Sequence, residues 1–230
     1  MKKTVRTQRA DGGATYNRIL EVAGELFASV GFAETTNKMI AARADVDLAS
    51  INYHFGSRNG LYQAVLVDAH GKLLSVDALE QLVAADLPAR EKLRKLIDGL
   101  VASVTDDQGW HATVLSREFL SPTSHFRTLQ KTEIPAKLLF ILAILSEITA
   151  IPQDDPSLLR CMASVMAPCA MLLVVGPNVS PFADQIHRMP HEVLADHLYK
   201  FAIGGLEAIG RERTQRSQDS SKANSSGEKP

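Results

Sequence analysis

The sequence predicts an all-α protein, with a small N-terminal three-helix helix-turn-helix domain and a larger helical body behind it. Three observations carry that reading. Apolar residues recur at helical spacing in the patterned segments, most clearly at Ile19, Val22, Ala23, Leu26, Phe27 and Val30. Neither period-two alternation nor a hairpin turn signal appears anywhere with force. Residues 35–58, TTNKMIAARADVDLASINYHFGSR, read as two short helices joined by a tight turn.

The first helix carries the Ile19 to Val30 stripe and stops at Gly31, which suits a C-cap. A hydroxyl at Thr35 or Thr36 can cap the second, with Ile40, Ala44 and Val46 facing inward. The turn falls at Asp45-Val46, and Asp47 is placed to cap a third helix anchored by Ile51 and Phe55 at i, i+4. Leu48, Ala49, Ser50, Asn52, Tyr53 and His54 are left on its outer face, where small or hydrogen-bonding side chains fit a major groove. A fourth helix starts near Ser57 and runs through Leu61, Tyr62, Val65, Leu66, Ala69 and Leu73.

Pro88 opens the next helix, whose stripe is Leu93, Leu96, Ile97, Leu100 and Val104. Trp110 to Leu120 is shorter and ends at Ser121-Pro122. Phe126 to Ile151 is kinked or split by Pro135, and Ser157 to Val175 is helical with Pro168 inside it. Pro190 opens a last helix through Leu194, Leu198, Phe201, Ile203, Leu206 and Ile209. The expected organisation is a basic flexible arm (1–14), a helix-turn-helix domain with its linking helix (15–76), a body (77–212) and a disordered tail (213–230).

Composition narrows the function classes. With 230 residues, 45% apolar and a formal net charge of −1, the chain can build a full core and is no polycation binding nucleic acid by bulk charge. Basic residues gather early, nine of the 25 lying in residues 1–72 against seven of the 26 acids. Lys2, Lys3, Arg6 and Arg9 precede the first acid, and such an arm either tracks phosphates or is a disordered, solubilising terminus. Two cysteines in apolar sequence, Cys161 and Cys169, suit a reducing cytoplasm, and eight residues apart they do not bond to each other. No signal peptide is visible. The longest unbroken apolar run is Leu138–Leu145, and Pro168, Gly176, Pro177, Asn178 and Pro181 interrupt uncharged Cys161–Ala183, so a soluble, cytoplasmic protein without a membrane span is expected.

Tyr53-His54-Phe55-Gly56-Ser57, followed by a basic residue and Leu61-Tyr62, resembles the DNA-binding domain of the TetR family of bacterial transcriptional regulators, over about Thr15 to Val67. The resemblance implies that Thr36, Tyr53, His54 and Arg58 touch phosphates, while Lys38, Leu48, Ala49, Ser50 and Asn52 lie near bases or backbone. Three positions depart from the family pattern: Asp45 replaces the turn glycine, Asn52 a common Tyr, and Arg58 the usual Lys. An Asp tolerates the left-handed region better than most residues, and Arg58 keeps the charge. Farther on, Ser116-Arg117-Glu118-Phe119-Leu120-Ser121-Pro122-Thr123, Phe126 and Ile134-Pro135 resemble the body domain of the CecR (YbiH) branch of that family. The family implies a homodimer joined through the last two long helices and a small-molecule cavity in each body.

Other constellations carry less. Pro190 separates His187 from His191, and His191 and His197 are six apart rather than four, so these histidines do not form a helical zinc site. Arg117 and Glu118 lie in apolar, aromatic sequence and either meet a polar ligand group or form a structural ion pair. If a cavity is there, Trp110, Phe119, Phe126, Phe140, Met162 and Met166 supply its walls and Arg117 its charge. No nucleophile elbow, phosphate loop or metal box is present, so neither catalysis nor a cofactor is expected. The expected function is a ligand-responsive repressor binding a palindromic double-stranded DNA operator as a homodimer, with an unknown small-molecule effector. A ligand-independent architectural DNA binder is the rival, against which some 140 residues of extra body argue.

Overall fold

The computed structural model describes residues 4–105, 109–176 and 180–226, and every regular element in them is an α-helix. In chain order these are α1 (Thr4–Val30), α2 (Asn37–Ala44), α3 (Leu48–Phe55), α4 (Arg58–Leu73), α5 (Val76–Ala84), α6 (Ala89–Thr105), α7 (Trp110–Leu120), α8 (Ser124–Thr132), α9 (Ile134–Thr149), α10 (Pro156–Val174), α11 (Pro181–His187) and α12 (His191–Ser226). They fall into two compact units, one of α1–α4 with α7 and α8, the other of α5, α6 and α9–α12.

The first unit is built on the α1 stripe. Ile19, Ala23 and Phe27 are buried, and α1 packs against α2, α4 and α7. Gly31 at φ 90° ends the helix where a side chain would strain the backbone. Sequence boundaries placed α7 and α8 in the body, whereas the fold gathers them around α4. Gly24 on α1 accounts for this, because the Trp110 indole lies where a β-carbon would stand.

In the second unit α6 buries Leu93, Leu96, Ile97, Leu100 and Val101, and packs along α12 and against α5 and α10. Arg94 bridges to Asp196 and Arg90 to Glu207 across the α6–α12 pair. The buried Lys92 donates its Nζ to the Val83 carbonyl at 2.7 Å, which satisfies a group that would otherwise be costly inside.

Four expectations need correction. The segment expected as a flexible arm belongs to α1, which begins at Thr4. Gly12 and Gly13 cost about 1 kcal/mol each in a helix interior, too little to stop one that carries no proline. The expected disordered tail continues α12 to Ser226, since an exposed helix needs hydrogen bonds and pairs such as Glu212–Arg216 rather than burial. Two short helices, α5 and α11, escaped the sequence reading although Ser75 and Ser180 cap them. Finally, α10 runs through Pro168 as expected, but against the expectation of no segment suited to a span it is, at a mean hydropathy of 1.8, long and apolar enough to cross a membrane by length and composition. Pro135, by contrast, falls in the first turn of α9, just after the break from α8, as its missing amide dictates.

Candidate nucleic-acid interface

The helix-turn-helix is fixed by local chemistry at each boundary. Thr36 accepts the Met39 amide at 3.2 Å and starts α2, while Thr35 is buried and donates its hydroxyl to the Gly31 carbonyl at 2.7 Å. Asp45 adopts the left-handed conformation (φ 50°, ψ 56°), and the Val46 amide closes the turn on Ala41 at 3.0 Å. Asp47 caps α3, accepting the Ser50 amide at 2.7 Å and the Ser50 hydroxyl at 2.6 Å. Those bonds, the hydroxyl's first, hold its carboxyl below the ordinary value. Gly56, at φ 72°, ends α3 one residue before Ser57 leads into α4.

Tertiary contacts hold α3 from behind. Ile40, Ala44 and Ile51 are fully enclosed, whereas Val46 is only half-buried. Phe55 stacks on Tyr16 of α1 with ring centroids 4.6 Å apart, and Arg43 pairs with Glu25. Solvent therefore meets the opposite face of α3: Leu48, Ala49, Asn52 and Tyr53, the last 85% exposed. Thr36 and Lys38 are exposed at the start of α2. Apolar and hydrogen-bonding groups on one eight-residue helix are what base-edge readout uses.

Besides Thr36, which caps α2, Ser50, His54 and Arg58 are held by partners within the unit. Ser50 spends its hydroxyl on Asp47 and so stabilises the start of α3. His54 is half-buried between the rings of Tyr16 and Tyr53. Arg58 departs furthest from a phosphate role. Its guanidinium lies 4.2 Å over the Phe32 ring and donates to the Ala33 carbonyl at 3.1 Å, tying the start of α4 to the loop after α1.

The seven residues expected to line a ligand cavity are not gathered in one unit. Trp110, Arg117, Phe119 and Phe126 belong to the unit carrying the helix-turn-helix, and Phe140, Met162 and Met166 to the other. Trp110 and Phe126 are buried packing residues, Phe119 meets Phe126 edge-on, and Arg117 donates to the Ser29 carbonyl at 3.2 Å, satisfying the end of α1. Arg117 and Glu118 form no pair with each other. Glu118 is 1% exposed and accepts the Tyr62 hydroxyl at 2.6 Å, an arrangement with no signal in the sequence, since Tyr62 looks like any stripe residue of α4.

Two open grooves in the second unit have volumes of about 640 and 560 Å³, and none of the seven lines either. Both are bordered by arginines and acids that largely pair with one another, such as Arg213 with Asp155 and Arg90 with Glu207. The same unit presents an apolar face on two neighbouring helices: Leu159, Ala163, Ala167 and Met171 on α10, and Val193, Phe201, Gly204, Gly205 and Ala208 on α12. Among the described residues no group of three or more His, Cys, Asp or Glu is arranged to hold a metal. The His187 ring instead meets the Ala183 and Leu172 carbonyls.

An all-α unit with a capped helix-turn-helix and an outward-facing third helix defines a DNA-binding protein of the helix-turn-helix class. The family described as bacterial regulatory proteins of the tetR family matches residues 19–65, and the C-terminal domain of the HTH-type transcriptional dual regulator CecR matches residues 89–206. The chain belongs to the TetR family of transcription regulators, with a body domain of the CecR type. It is 30% identical over 133 residues to the HTH-type transcriptional dual regulator CecR of Shigella flexneri, a match spanning 54% of this chain and 59% of that protein. Its fold is similar to a TetR-like regulator from Rhodococcus sp. RHA1 (TM-score 0.64, 20% identity, 84% of this chain and 95% of that one). FadR from Bacillus subtilis, solved in complex with stearoyl-CoA, is also similar (TM-score 0.66, 15% identity, 83% and 98%). The family members it matches are transcription regulators rather than enzymes.

Proposed function

We propose that the chain is a cytoplasmic, ligand-responsive repressor that binds a palindromic operator as a homodimer, with α3 in the major groove. The observation carrying this reading is the division of α3 itself. Its inner side is locked by Ile51, Phe55 and Asp47, and its outer side offers Leu48, Ala49, Asn52 and Tyr53 to solvent. Thr36 and Lys38 extend that surface from α2. Arg58 and Ser50 act from behind it, by fixing the turns that present α3.

Dimerisation follows from magnitude. One short helix reads too few bases for the roughly 4–10 kcal/mol by which specific binding exceeds non-specific binding. Two such helices about 34–36 Å apart read successive grooves and double the contact. The apolar faces of α10 and α12 support this pairing, because Phe201 at 75% exposed and Met171 at 53% otherwise sit in water, and Gly204 and Gly205 permit close helix approach. An apolar α10 that resembles a membrane segment in composition is accounted for in the same way.

An effector acts by binding one spacing of the two readers better than the other, since equal affinity for both shifts nothing. Phe140, Met162 and Met166, half-buried in the body, are the candidate walls. FadR's stearoyl-CoA makes an acyl-CoA the first effector class to try. The test is selection of binding sites from random duplex DNA by the purified protein, followed by titration of the selected complex with stearoyl-CoA. An enriched inverted repeat supports the dimeric reader. Weak binding with a steep salt dependence and no enrichment favours an architectural DNA binder instead.

A further inference from the structure

Glu118 is the most deeply buried carboxyl group among the described residues, and both its oxygens are occupied. Oε1 accepts the Tyr62 hydroxyl at 2.6 Å and the Thr123 hydroxyl at 2.8 Å, and Oε2 accepts the Thr123 amide at 2.8 Å. Glu118 thereby joins the end of α7, the cap of α8 and the second turn of α4, all within one compact unit. Removing that acceptor alone would leave the Tyr62 and Thr123 donors unsatisfied, so what Glu118 fixes is the position of those donors.

What it fixes can be followed through contacts. The Tyr62 ring lies 4.8 Å edge-on to Phe27 and 4.5 Å from Phe32, with His125 of α8 5.5 Å away on another side. Phe32 carries the Arg58 guanidinium at 4.2 Å, and Arg58 is the first residue of α4, just after the turn that ends α3. Burial first, and then the Glu118 hydrogen bond, hold the Tyr62 phenol well above its usual range, so it remains the donor. A continuous run of contacts therefore leads from Glu118 to the root of the recognition helix.

We propose that Glu118 is a positioning residue for DNA recognition: through Tyr62 and the Phe32–Arg58 contact it sets the seating of α4 on α1 and so the presentation of α3. The inference rests on the reading of α3 as the DNA reader and adds α7 and α8 to the machinery that aims it. Glu118 also contributes to folding, and sequence specificity is the property that the positioning role adds to that contribution. A Gln at this position keeps the shape but turns one acceptor into a donor, so it cannot satisfy Tyr62 and Thr123 as the carboxylate does.

The test uses the full chain and the variants Glu118→Gln, Tyr62→Phe and their double substitution. Affinity is measured at fixed salt for the duplex that the wild type enriches and for a scrambled duplex, alongside thermal melting and amide exchange. Expected is a loss of about tenfold for the enriched duplex, in the range of coupling through packed networks, with little change for the scrambled one. The double substitution should be no worse than Glu118→Gln alone, and amide exchange should quicken in α3 and the first half of α4 but not in α6. Equal losses on both duplexes, tracking a fall in melting temperature, would reduce Glu118 to a structural role and overturn the proposal, as would wild-type behaviour of both single variants. If the wild type enriches no sequence, the regulator reading fails separately. Amide exchange then decides: unchanged protection of α3 and α4 in Glu118→Gln overturns the positioning role.

Discussion

The indole of Trp110 occupies the space over Gly24 that any larger residue on that face of α1 would claim. The contact joins α7 to the first helix of the reader, and His111, stacked 3.8 Å behind the indole, reaches Asp68 of α4 at 3.3 Å. A helix assigned by sequence to the body is thus held to the reader from two sides.

Substitution at Gly24 therefore separates helix propensity from packing. Gly24→Ala gains about 1 kcal/mol of helix propensity, yet the new β-carbon overlaps the indole, and overpacking of this kind costs about 1–3 kcal/mol. The net expectation is a modest loss of stability. Trp110→Ala should cost more, about 3–5 kcal/mol by analogy with other buried aromatics. Urea denaturation checks both, and a stabilised Gly24→Ala would show that the indole moves aside freely.

Tyr53 and Arg58, alike in expectation, should separate sharply in experiment. Tyr53 is 85% exposed, so Tyr53→Ala should leave stability within about 0.5 kcal/mol while weakening binding to all DNA. Asn52→Ala should be equally silent in stability but alter sequence preference. Arg58→Ala loses the Phe32 contact and the Ala33 hydrogen bond, together worth about 1–2 kcal/mol, and should lower stability and DNA binding together. Melting curves beside a mobility-shift titration at constant salt give the comparison. Arg58→Ala with unaltered melting but lost binding would restore the phosphate role.

The parts legible in the sequence were those set by short-range chemistry. Thr36 and Asp47 each accept an amide three residues on, and Asp45 marks the turn by tolerating a left-handed backbone. Pro190 marks a helix start for the same local reason, and Pro135 the split of the segment into α8 and α9. Long-range partnership was not legible. Nothing near Trp110 announces that its space is provided by Gly24, nor does anything near Glu118 point to Tyr62. Arg58 looked free because its partners, Phe32 and Ala33, lie across a fold that has to form first. Composition does not reveal the helical course of residues 4–14 and 213–226, because it reports what can be buried, whereas these segments extend helices already nucleated by packing and add local pairs such as Glu212–Arg216.

The apolar faces of α10 and α12 lead to a prediction about mass. Phe201→Glu places a charge in the middle of the proposed pairing surface, where Val193, Gly204 and Gly205 flank it. The variant should sediment as a monomer near 25.0 kDa, with helix content unchanged. Losing the second reader should weaken binding to an inverted repeat by about 10²–10⁴-fold, the gain that linking two sites provides, while a single half-site is bound as before. A dimeric Phe201→Glu would move the interface elsewhere.

Asp155 makes the last prediction, on acid stability. It caps α10 by accepting the Ser157 amide and hydroxyl, and pairs with Arg213 of α12 at 2.6 Å. These bonds, the backbone one first, hold its carboxyl far below the usual 3.8, and Asp47 and Asp196 are lowered as well. A carboxyl depressed in the folded state adds stability that is fully present above its unfolded value and disappears as pH falls through its folded value. Melting temperature should therefore owe nothing to these groups' titration between about pH 5 and pH 8, and fall steadily below about pH 4. Asp155→Asn keeps a competent helix cap but cannot hold Arg213, so at neutral pH it should melt below the wild type. With Asp155 protonated near the acid end the two proteins become alike, and their melting temperatures should converge. A constant gap between them down to about pH 2 would mean that packing lost on substitution, rather than the charge of Asp155, sets the difference.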